Sequence, residues 1–233
     1  MITLITIILG LLPGFAWLLF YLQEDTNPEP KRMIAMVFAA GVISAAVGLF
    51  LELAASCVLT NHLADCTRHV ANGVSLTPLL IVVFAAIEEL VKFGAVWFTA
   101  AKTKYFDEPI DAMVYMAVAG LGFATVENIV ALSGKTTQLF MNGVFETATF
   151  RFVGTTLLHA LTASVIGYFW ALEIRNFKSG KFLAYGILLA ITLHVIFNYL
   201  ILMYSNLIYP IVFVAIAGFF ILGDFDKLRG KKL

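Results

Sequence analysis

Glutamate, histidine and asparagine can together activate a water molecule and steady the oxyanion it creates on a carbonyl carbon. This chain places such residues inside long apolar runs, where each ionisable group costs at least a few kcal/mol and must be paired or face water. Ala86-Ile87-Glu88-Glu89-Leu90-Val91-Lys92-Phe93 carries three of them, and Phe123-Ala124-Thr125-Val126-Glu127-Asn128 carries Glu127. His159 stands in a third run, and His194-Val195-Ile196-Phe197-Asn198 pairs a histidine with an asparagine in a fourth. On a helix, Glu88 and Lys92 share a face, as do His194 and Asn198, whereas Glu88 and Glu89 diverge by about 100°. One of the paired glutamates can therefore face a cavity that the other only borders. A carboxylate walled by apolar side chains gains basicity and suits hydrolysis by water. No serine has a credible His/Asp relay and both cysteines lie elsewhere, so covalent catalysis is disfavoured. Two histidines and a glutamate (Glu127, His159 and His194) would equally hold a catalytic zinc with a second glutamate as base, although no His-Glu-x-x-His motif is present. No cofactor is favoured, and zinc stays open.

Residues spread over four runs need rigid elements to bring them together. The 233 residues are 61% hydrophobic and 13% charged, against roughly 45–50% and 25% in a soluble domain, which excludes a soluble globule. Fifteen Lys+Arg balance fifteen Asp+Glu, so no basic field exists to attract nucleic acid. The runs are long and continuous, which makes them helices and not barrel strands. We expect an all-α polytopic membrane protein with about seven transmembrane helices, near 2–22, 33–59, 77–101, 110–132, 150–174, 182–204 and 207–222, forming one domain over 1–233. The first run lacks a basic n-region and a cleavage pattern, so it reads as a retained helix and not a signal peptide.

Seven spans put Lys31, Arg32, Lys102, Lys104, Arg175, Lys178, Lys181, Lys227, Arg229, Lys231 and Lys232 on one side, against Arg68, Lys135 and Arg151 on the other. The basic side is cytoplasmic by the positive-inside rule, leaving the N-terminus outside and the C-terminus inside. Counted from the outer ends at ~1.5 Å per residue, Glu88 lies about 11 residues in, Glu127 about 5, His159 about 9, His194 about 10 and Asn198 about 6. Four helices thus deliver polar groups to one stratum, which predicts a water-filled cavity opening outward. Glu52, Arg151 and Glu173 lie near interfaces, where snorkelling accounts for them. Gly120, Gly122 and Ala124 read as close-packing positions. Cys57 and Cys66 fall on the side where a disulfide can persist. His62, Cys66 and His69 could line one face as metal ligands, a solvated loop being the simpler reading.

Taken in order, these motifs resemble the PrsW family of intramembrane proteases, distantly related to the CAAX prenyl protease and bacteriocin-processing superfamily. Glu88-Glu89-Leu90-Val91-Lys92 matches the family's Glu-Glu-x-x-Lys motif, and Phe123-Ala124-Thr125-Val126-Glu127 its Phe-x-x-x-Glu motif. His159 and His194-x-x-x-Asn198 match its later histidine motifs, and Glu29-Pro30-Lys31, Asp111 and Gly120-Leu121-Gly122-Phe123 look like family segments. The resemblance implies endoproteolysis of membrane-anchored, anti-sigma-factor-like substrates on the outer side of a bacterial plasma membrane. It implies Glu88 as general base, Glu127 and His159 holding the water, and His194 with Asn198 as the oxyanion pocket. Glu89 and Lys92 would orient the base, with Phe123 in support. The chain departs from the prenyl-protease relatives in having Glu127 where they place histidine and Lys92 where they use arginine, which argues against prenylated substrates. A non-enzymatic membrane scaffold and an ion or proton pathway are the competing classes; the latter would need polar groups reaching the cytoplasmic half, where little besides Lys92 and Glu173 is found.

Overall fold

A computed structural model describes residues 4–23, 28–60, 76–133, 147–175, 180–204 and 206–228. Among them are seven helices and no strand: α1 Leu4–Tyr21, α2 Lys31–Leu59, α3 Pro78–Thr99, α4 Pro109–Ser133, α5 Thr156–Arg175, α6 Lys181–Met203 and α7 Ile208–Leu228. A π-helical turn, Arg151–Thr155, leads into α5. Five of these segments are long and apolar enough to cross a membrane: α1, α2, α4, Thr147–Ile174 and α6. The shorter apolar stretch of α7 is Ile208–Gly223. α3 carries Glu88, Glu89 and Lys92 but turns all three inward, leaving Leu79, Val82, Leu90 and Phe98 on its outer surface. Large exposed apolar side chains such as Phe50, Leu188, Phe219 and Phe220 continue that surface around the bundle, as lipid requires and water would not tolerate over so wide an area. The protein is an integral membrane protein.

α4 is the axis of the bundle. It is buried along nearly its whole length and packs against α5, α2 and α1, so apolar residues surround it on every side and its few polar ones, Asp111, Thr125, Glu127 and Asn128, are each hydrogen-bonded. Two glycines permit this. A Cβ on Gly120 would run into the His159 carbonyl of α5, and one on Gly122 into the Phe38 carbonyl of α2. The sequence expectation of close packing at these positions holds, and it fixes the backbone of His159 against α4.

Helix starts are set by local chemistry. Thr77 caps α3, accepting from the Leu80 N–H at 3.3 Å ahead of Pro78. Asp111 in the first turn of α4 accepts from the Asp107 and Glu108 N–H groups at 2.9 and 2.6 Å. Glu173, read from the sequence as snorkelling, is buried and accepts from Gly180, Phe182 and Leu183 N–H groups, binding the end of α5 to the start of α6. The orphan donors of a helix N-terminus explain its burial. Cys57 is buried in α2; Cys66, the other cysteine, and the segment with His62 and His69 lie outside the described residues.

Candidate active site

Glu88, Glu89 and Lys92 are 6%, 0% and 0% exposed on the inner side of α3. The Lys92 ammonium donates to Glu89 Oε1 at 2.8 Å and stands 3.9 Å from Glu88 Oε2. It also meets His159 Nδ1 at 2.7 Å and lies 4.6 Å from the centre of the Phe123 ring, which in turn packs on the His159 ring. Glu89 Oε1 additionally takes the Thr162 hydroxyl at 3.0 Å and His194 Nδ1 at 2.7 Å. Glu89 and Lys92 are thus a buried ion pair that neutralises itself and grips α5 and α6.

The two imidazoles have determinate roles. An ammonium has only donors, so His159 Nδ1 accepts from Lys92 and the ring carries its proton on Nε2. That N–H donates to Glu127 Oε2 at 2.8 Å. His194 donates Nδ1–H to Glu89, which turns its Nε2 towards Glu88 Oε2 at 3.7 Å. His159 Nδ1 is 3.8 Å from the same oxygen. Glu88 Oε2 and Glu89 Oε2 are both buried without a hydrogen-bond partner, and it is the Glu88 oxygen that faces the two imidazoles. A buried carboxylate oxygen left unpaired is costly and marks a place where water, a proton or a cation belongs.

Glu88 borders a cavity of about 420 Å³, lined also by Phe123, Glu127, His159, His194 and Asn198. Every expected site residue is therefore brought together: six line the cavity, and Glu89 and Lys92 stand behind them. Glu52 and Arg151 also line it, although the sequence placed them as snorkelling side chains. Arg151 pairs with Glu127 at 3.1 Å and its side chain is only 15% exposed. Thr162, which helps seat Glu89, gave no signal in the sequence beyond lying three residues after His159.

The donors that converge as a candidate metal centre are Glu88, His159 and His194, whose ligating atoms lie within 4.8 Å of one another. Glu127, in the set expected from sequence, instead holds the far nitrogen of His159. The group fits a divalent ion: one carboxylate and two imidazoles are a catalytic zinc donor set, Glu88 Oε2 is unpartnered, and each imidazole has a carboxylate on its other nitrogen, the arrangement that orients metal-binding histidines. An ion at His159 would take the lone pair that Lys92 now engages.

Comparison with known proteins agrees with this geometry. The chain matches the family described as "PrsW family intramembrane metalloprotease" over residues 29–222. It is 32% identical to Protease PrsW of Geobacillus kaustophilus over 197 residues, covering 83% of this chain and 78% of that one. It is 29% identical to Protease PrsW of Bacillus subtilis over 205 residues, 86% and 84% of the two chains. No solved structure matches the chain. With its glutamates, histidines and asparagine gathered at one cavity inside a membrane bundle, the chain belongs to the PrsW family of intramembrane proteases and is a peptidase.

Proposed function

We propose that the protein cuts membrane-anchored, anti-sigma-factor-like proteins near the outer face of a bacterial plasma membrane, hydrolysing the peptide bond with water activated at Glu88. The observation that carries this is the unpartnered Glu88 Oε2 at the meeting point of two oriented imidazoles and a cavity. Glu88, His159 and His194 would hold a divalent ion, zinc by donor type. When bound, such an ion polarises a carbonyl and makes water more acidic.

The chain's own part is to hold water against Glu88 and His194 and to keep each imidazole in one tautomer. Glu127 and Glu89 do the latter through His159 Nε2 and His194 Nδ1. The Asn198 amide, one turn beyond His194, offers a donor to the carbonyl oxygen as negative charge develops on it. Lys92 holds Glu89 in place. A second reading, favoured by the Lys92 contact with His159 Nδ1, has Glu88 as general base with no ion held.

Comparing new protein N-termini in membranes of cells carrying wild type or Glu88→Ala tests the proposal. Wild-type-only cuts near the outer ends of single-pass proteins are expected; equal cut sets, with both proteins equally abundant, contradict it. Metal analysis of the purified protein separates the two versions. A stoichiometric ion lost in His194→Ala supports the metal centre, and full cleavage in chelator supports the metal-free base.

A further inference from the structure

Arg151 precedes His159 by eight residues. Two turns of a regular α-helix take ~7.2 residues, so a residue eight positions away would stand about 80° off the His159 face. Here Arg151–Thr155 is a π-turn, closed by the Thr156 N–H on the Arg151 carbonyl. A π-turn absorbs one extra residue, so two turns now take ~8.2 and Arg151 comes round onto the face of His159.

The guanidinium uses that placement fully. Its Nε donates to Asn128 Oδ1 at 2.6 Å and its Nη2 to Glu127 Oε2 at 3.1 Å. The same Glu127 oxygen receives His159 Nε2–H at 2.8 Å. Asn128 is itself fixed, its Nδ2 donating to Thr156 Oγ1 at 2.9 Å. The Trp17 indole donates to the Phe152 carbonyl at 2.8 Å, tying the turn to α1. Arg151, Glu127 and His159 thus form one chain of charge-assisted contacts ending 3.8 Å from Glu88 Oε2.

We infer that Arg151 is a positioning residue: from its π-turn it fixes the Glu127 carboxylate, and through it the aim of the His159 ring. This rests on the proposed hydrolytic reading of the site. Without the guanidinium, Glu127 loses both its countercharge and its second hydrogen bond, and nothing else among the described contacts holds it against His159. Lysine is a poor replacement, because a single ammonium cannot serve Glu127 and Asn128 with the geometry of a planar fork.

The test uses purified full-length protein in lipid vesicles and a synthetic single-span peptide carrying one of the wild-type-only cuts. Arg151→Ala is expected to lower kcat by ~10–100-fold, as loss of an orienting partner does, with KM unchanged. Guanidinium ion added to the vesicles is expected to restore part of the rate by entering the space left beside the cavity. Glu127→Gln should lower kcat similarly, and the double variant should be no worse than the worse single one. An unchanged kcat, a raised KM with kcat intact, or fully multiplicative losses in the double variant would overturn the inference. Failure of the wild type to cut the peptide would overturn the functional reading instead.

Discussion

Lys92 sets the charge balance of the site. It is 0% exposed, and its one ammonium serves Glu89, His159 and the Phe123 ring. Removing one partner of a buried pair leaves an uncompensated charge, so Lys92→Met should cost about 3–5 kcal/mol, read as a lowered melting temperature of the purified protein together with lost cleavage. Unchanged melting would show that Glu89 does not depend on Lys92. Glu88, Glu89 and Lys92 were legible in the sequence because spacings of three and four residues on one helix are local geometry. Arg151 and Thr162 were not, because their partners lie 24 and 73 residues away in the chain. An arginine near the end of an apolar run looks the same whether it snorkels or turns inward to a carboxylate, and only packing separates the two.

Among the elements, α4 determines where His159 sits. Gly120 meets the His159 carbonyl directly, so Gly120→Val should separate α4 from α5, cost about 1–3 kcal/mol as overpacking does, and reduce cleavage by moving His159. Gly94 provides the contrast: an added Cβ there meets nothing within 4 Å, and Gly94→Ala should stabilise α3 by ~0.5–1 kcal/mol with cleavage unchanged. Thermal melting beside a cleavage assay checks both. The ends of the helices agree with the apolar runs to within a few residues, except at the end of α7 and at the start of α5, where the π-turn and the helical residues before it occupy the first part of the run. The π-turn left no trace in the sequence, since one extra residue in a helix alters neither composition nor the length of the run. Glu173 was misplaced for a similar reason: its task is to satisfy the first N–H groups of α6, a helix that follows in the chain but folds back beside it.

Across the whole molecule, apolar side chains face outward and the charged ones of α3 face inward, an arrangement that only a bilayer solvent explains. The polar groups of four helices, α3 to α6, meet at one cavity. The order of motifs along the chain carried the family, since each motif occupies its own helix. What the sequence could not supply was which carboxylate meets both imidazoles; the structure gives that place to Glu88. The most direct measurement is cleavage of a synthetic single-span peptide, bearing one of the wild-type-only cuts, by purified wild-type and Glu88→Gln protein in lipid vesicles. We expect product from the wild type alone while both proteins melt at the same temperature. Equal rates from the two would contradict the account, because the oxygen on which it turns would then be dispensable.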